Sequence, residues 1–139
     1  MADGIRKSRA ILFFLLLLLM HIAHVFEEVW GQFRAIDILG GPGRFLIANW
    51  FLLSVVVLIL YFIIHGSRTA YNLGIIYAAV MILNGLGHNI ATLVTGEYFG
   101  AFAGGFTGIA LILVGLPLIY YLRKEKPRNQ NVISRKDKI

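Results

Sequence analysis

Cysteine is absent from the 139-residue chain, so neither a disulfide framework nor a thiolate metal site is open to it. Charge is scarce too. Charged residues make up 14% of the chain, against roughly 25% in a soluble domain. Hydrophobic residues reach 58% and mean hydropathy is +0.77, which excludes an ordinary soluble protein. The formal charge of +6 comes without any stripe of interleaved basic and aromatic residues, so nucleic acid is not an expected partner. No Gly-rich phosphate loop and no Ser-His-Asp order is present. No internal repeat is visible. The first apolar run lacks a small-x-small cleavage pattern after it, so it reads as an uncleaved helix rather than a signal peptide.

What is present is long apolar runs. About 20 apolar residues cross a bilayer core as a helix, and four segments qualify: residues 8–30, 45–65, 69–95 and 101–122. Helices are the expected form, because an open sheet in lipid leaves backbone groups unpaired. The connections are short. Gly40-Gly41-Pro42-Gly43 breaks the chain before the second span, and His65-Gly66-Ser67-Arg68 precedes the third. The expected fold class is all-α: an integral membrane four-helix bundle over residues 1–126, with a basic, disordered cytoplasmic tail over 127–139.

Basic residues set the orientation. Arg6, Lys7, Arg9, Arg68 and the seven basic residues from Arg123 to Lys138 share one side; Arg34 and Arg44 lie on the other. Both termini are therefore expected in the cytoplasm, which for a bacterial protein means the cytoplasmic (inner) membrane.

That orientation gathers scattered polar residues into one layer. His21, His24, Glu27 and Glu28 close the first span. Asn49 and Trp50 open the second, Asn84, His88, Asn89 and Thr92 lie late in the third, and Thr107 lies early in the fourth. All fall in the outer half of the bundle, while the inner halves are nearly pure hydrocarbon. A charged group at a bilayer centre costs about 2.5–3.5 kcal/mol on insertion scales, so such groups face a bundle interior and mark function. His21, His24, Glu27 and Glu28 span an arc of roughly 120°, and Asn84, His88, Thr92 and Thr95 one of roughly 80°. Asn89 points elsewhere. The shared level predicts a pocket open toward the outer side, lined by His24, Glu28, Asn84 and His88 over an apolar floor.

Three readings compete for this layer. The first is a divalent metal, zinc or iron, held by His24, Glu28 and His88 with His21 as a further ligand. Glu27 is then a general base beside it. The spacing is neither His-Glu-x-x-His nor the paired Glu-x-x-His of di-iron bundles. The second is metal-free acid–base chemistry by Glu27, Glu28, His24 and His88, with Asn84, Asn49, Trp50 and Thr92 binding a polar substrate head. The logic is that of the sterol isomerases of the emopamil-binding family, without a motif match. The third is structural: Glu27, Glu28 and Trp30 mark a headgroup boundary, and the histidines are satisfied between helices.

Other features point to packing. Gly96, Gly100, Gly104 and Gly108 form a small-residue stripe that permits close helix contact inside the monomer, or alternatively a homodimer. Pro117 is expected to kink the last span. His65, Arg34, Asp37 and Arg44 read as solvated or interfacial groups.

The chain resembles the HXXEE family of small predicted membrane proteins, through His24-Val25-Phe26-Glu27-Glu28 and through Asn84-Gly85-Leu86-Gly87-His88. Leu116-Pro117-Leu118 adds to the likeness. Tyr98-Phe99-Gly100-Ala101 departs from the Tyr-x-Pro-Gly expected there. The resemblance implies the polar site but no particular reaction. The function expected is an intramembrane enzyme, metal-dependent or acid–base, acting on a membrane lipid or other lipid-soluble small molecule. A proton- or ion-coupled transporter and a non-catalytic scaffold are the alternatives.

Overall fold

Ser8 starts the first helix. Its hydroxyl accepts the Ile11 N–H at 3.2 Å, which satisfies a donor that the helix itself leaves open. Ser67 does the same for Ala70 at the head of a later helix. The computed structural model describes residues 8–97 and 104–127. Its helices are α1 (Arg9–Trp30), α2 (Arg34–Ile38), α3 (Pro42–Ile64), α4 (Arg68–Thr95) and α5 (Gly105–Glu125). The described residues form an all-α bundle. α1, α3, α4 and α5 are long and apolar enough to cross a membrane. The tail expected beyond Pro127 and the stretch Tyr98-Phe99-Gly100-Ala101, which includes Gly100 of the glycine stripe, lie outside the described residues.

The sequence boundaries shift where local chemistry outweighs hydropathy. α3 begins at Pro42 rather than at 45, since proline suits the first turn of a helix. α5 begins at Gly105, after Gly104 at φ 122°, a backbone angle that excludes most side chains. It runs on to Glu125, with Arg123 and Lys124 in its last turn, where the helix dipole favours cations.

Nothing in the hydropathy pattern signals α2. It follows from how α1 ends. Phe33 N–H bonds the Glu28 carbonyl at 2.9 Å and Gln32 N–H bonds Val29 at 3.3 Å, with Gln32 at φ 58°. This is a Schellman turn with glutamine in the left-handed position. It folds the chain back, so that Ile36 packs with Val25 and Phe45.

α5 packs against both α1 and α4, and α3 packs against α1 and α4 as well. One end of the bundle carries Ser8, Asn72 and Lys126. There Ser8 Oγ donates to Glu125 at 2.5 Å, Arg9 to the Tyr121 hydroxyl at 2.9 Å and Lys126 to Asn72 at 2.5 Å. Above these lies an apolar core that includes Phe14, Leu17, Val56, Ile63, Tyr77, Leu111 and Leu118. The opposite end carries α2 and the polar residues. A third or less of each apolar span is buried inside the protein. Phe26, Ile47, Phe51, Leu83, Phe106 and Leu113 all point outward. An apolar exterior of this extent suits lipid, not water.

Glycine brings α4 and α5 together. A Cβ on Gly85 would run into the Gly108 carbonyl, and one on Gly108 would lie 3.1 Å from the Gly85 Cα. Asn89 sits beside this crossing. Its amide donates to the carbonyls of Gly85 (2.8 Å) and Gly105 (3.0 Å), fastening the start of α5 to α4. Of the glycine stripe, Gly104 and Gly108 are buried within this chain, whereas Gly96 caps α4 and is exposed.

Candidate metal centre

His24 and Glu28 are one helical turn apart on α1, so their side chains meet. His88 arrives from α4. His24 Nε2 lies 3.5 Å from Glu28 Oε1, and His88 Nε2 lies 3.2 Å from the same oxygen. One donor atom from each residue lies within 4.8 Å of the others. All three residues are buried, His24 completely. The His24 and His88 rings meet edge to face at 4.9 Å, and the Phe33 ring lies tilted against His88 at 4.8 Å. Gly104 closes the other side: a Cβ there would meet the His24 ring at 2.8 Å and the His88 ring at 3.0 Å.

The group could hold a metal ion. Two imidazole nitrogens and one carboxylate oxygen form a donor set suited to zinc or iron.

Glu27 faces the other way, onto the start of α5. Its Oε1 accepts the Phe106 N–H at 3.1 Å and its Oε2 the Thr107 N–H at 2.8 Å. Gly104, the N-cap of α5, has no side chain to do this. Glu27 thus caps α5 from a neighbouring helix. Its charge sits where the helix dipole favours an anion, and caps of this kind contribute about 0.5–2 kcal/mol.

Thr107 connects the two carboxylate environments. Its hydroxyl donates to Glu27 Oε2, so its lone pairs are free to accept. His24 Nδ1 stands 2.8 Å from Thr107 Oγ1. A neutral His24 ring protonated at Nδ1 fits both contacts and leaves Nε2 with a lone pair. Asn84 agrees from the far side, with its amide nitrogen 2.9 Å from Nε2. In this tautomer no hydrogen lies between His24 Nε2 and Glu28 Oε1. Two acceptors face one another across 3.5 Å.

The remaining sequence candidates divide. Asn84 belongs to the cluster. Thr92 lies one turn beyond His88, and its Oγ1 is buried without a hydrogen-bond partner. His21 is buried but engaged elsewhere: its Nδ1 lies 3.1 Å from the Tyr77 hydroxyl, and it is not one of the three converging residues. Asn49 is engaged with its own helix, donating to the Phe45 carbonyl at 3.0 Å. Trp50 is 68% exposed and faces away from the cluster. Hydropathy could not separate Trp50 from Asn49, because adjacent helical residues point about 100° apart and only packing decides which is inward.

An open-sided groove of about 340 Å³ reaches the cluster, bounded by Phe33, Leu83, Asn84, Gly87, His88 and Ala91. It runs along the side of α4 and differs from the pocket expected from the sequence. Asn84 and His88 line it, but His24 and Glu28 do not, because they pack against His88 behind its wall.

No family model, curated protein or solved structure matches the chain. The resemblance to the HXXEE family rests on the motif residues alone. Of these, His24, Glu28 and His88 are the three that converge. Thr107 and Phe33 carry the largest roles that the sequence left unassigned. The signal for Thr107 was its depth; Phe33 had none, since its place depends on the turn at Gln32.

Proposed function

We propose that the protein is a metal-dependent intramembrane enzyme, with zinc or iron held by His24, Glu28 and His88, acting on a lipid-soluble substrate. The convergence of three buried donor atoms from two helices carries this reading. Two imidazole nitrogens and a carboxylate oxygen drawn to one point are the arrangement a cation between them would use, which favours a metal over metal-free acid–base chemistry. Three protein ligands also match catalytic zinc sites, which keep one position open, rather than four-ligand structural sites. Bound there, the ion would polarise a substrate oxygen.

This chain's own residues do the rest. Glu27 and Thr107 hold the His24 ring with Nδ1–H outward, the usual arrangement behind a metal-binding histidine. Asn84 yields the Nε2 lone pair when a cation takes it. Asn84, on the groove wall, offers a hydrogen bond to a polar substrate head. The packed apolar half of the bundle, with Phe14, Leu17, Ile63 and Leu118 all fully or almost fully buried, argues against a transport path through it.

Elemental analysis of the purified chain tests the proposal. About one zinc or iron per chain is expected, retained through dialysis against metal-free buffer, as the three-ligand site implies. Protein that folds but takes up neither metal, even when supplied, sinks the reading.

Placement in a cytoplasmic (inner) membrane, with the metal site in the outer half, belongs to the same proposal and rests on the basic residues. Since the chain has no cysteine of its own, single cysteines at Asp37 and near Lys138 serve as probes. A membrane-impermeant maleimide applied to intact cells should label the Asp37 site alone. Labelling of the Lys138 site alone reverses the orientation.

A further inference from the structure

On α4 two rows of residues run side by side at helical spacing. Leu83, Gly87 and Ala91 form one; Asn84, His88 and Thr92 form the other. The first row is apolar and exposed or half-buried, and at Gly87 a Cβ would find no atom within 4 Å. The second carries the cluster's amide and imidazole. The groove lies where the rows meet, and Phe33 forms its end. Leu83, Leu86 and Ile90 around it face outward, so the groove opens toward the lipid phase and not toward a water-filled interior.

We propose that this groove binds a single-chain acyl lipid, with its hydrocarbon chain along Leu83, Gly87 and Ala91 and its acyl head at Asn84. This names the substrate class of the site proposed above and rests on that reading for its reaction, though not for binding. Three observations select the occupant. The row from Leu83 to Ala91 extends about 12 Å along the helix axis, an elongated apolar track. The volume is near the lower end of the 300–1,000 Å³ typical of small-molecule pockets, which suits one chain rather than two. The polar groups lie along one wall: the His88 ring, turned to Glu28, and the Asn84 amide, whose second N–H can meet an acyl carbonyl. Gly87 keeps the track open: a side chain as long as leucine there would fill it.

Photolabelling tests this without depending on the metal. The full chain in nanodiscs is irradiated with palmitic acid carrying a mid-chain diazirine, and labelled residues are mapped by mass spectrometry. Labels should concentrate on Phe33, Leu83 and Ala91, and excess unlabelled palmitic acid should suppress them. Gly87→Leu should reduce them at least about tenfold, since each excluded methylene forfeits a factor of about four. Gly87 is exposed with free space around it, so Gly87→Leu is not expected to impair folding. Labels spread evenly over the outward faces of α1 and α3 as well, or unaffected by Gly87→Leu, overturn the proposal. Suppression by cholesterol but not by palmitic acid overturns the single-chain assignment. Metal measured on the same samples separates the two readings: groove labelling without metal keeps this site and rejects the metal centre, while metal without groove labelling does the reverse.

Discussion

Replacing His24, Glu28 or His88 singly with Ala is expected to empty the metal site to a similar degree in all three variants. Each side chain supplies one of the three donor atoms that converge among the described residues, and two ligands cannot make up the set. Loss of an outer partner alone typically costs 10–100-fold in metal affinity, so loss of a ligand should exceed about 100-fold. The triple variant should add little, because residues that act as a unit are not additive. Thr107→Val is the graded control. It keeps all three ligands but removes the hydroxyl between Glu27 and His24 Nδ1. It should still bind metal, about 10–100-fold more weakly. Glu28→Ala should insert and fold, since it removes the buried carboxylate itself; the two histidine variants leave that carboxylate with one partner fewer, so folding is measured beside binding. Isothermal titration with zinc, alongside circular dichroism, checks both points. Equal zinc affinity in wild type and all three Ala variants would falsify the site. Unfolding of all three, in a protein that binds no metal, would assign the cluster a structural role.

Gly85→Ala is expected to destabilise the bundle more than the same methyl added at Gly74 or Gly115, where the nearest atoms belong to side chains that can shift. At Gly85 the new Cβ meets the Gly108 carbonyl, which is backbone and cannot rotate away. The helices must separate, and overpacking of this kind costs about 1–3 kcal/mol. Gly87→Ala, two positions along the same helix, meets nothing. It should be neutral or stabilising by about 0.5–1 kcal/mol, the usual gain of Ala over Gly inside a helix. Denaturant unfolding in micelles compares the two. The Gly85 variant should also bind metal less well, because the start of α5 carries Gly104 and Thr107 against the His24 ring. Equal stability of the two variants would mean that the α4–α5 crossing does not depend on glycine.

The residues that converge were legible because a membrane simplifies the problem. An apolar span must be a helix, and alternate spans must run in opposite directions. His24, Glu28 and His88 could then be placed at one level by counting along the chain. The i,i+4 relation of His24 and Glu28 follows from helix geometry alone. Asn89 was likewise set apart from the Asn84–His88 face, and the structure gives it separate partners in Gly85 and Gly105.

The all-helical class, the four long apolar helices and the level at which polar groups collect can all be read along the chain. Hydropathy and helical period act along one chain, and these features are local. Tertiary structure alone decided which polar groups touch. It assigned His21 to Tyr77, turned Glu27 onto the start of α5 and linked Glu27 to His24 through Thr107. It also brought Phe33 against His88 through the turn at Gln32. Each of these contacts depends on the rotation of one helix against another. That rotation is set by close packing, above all at Gly85 and Gly108, and no pattern within a single helix encodes it.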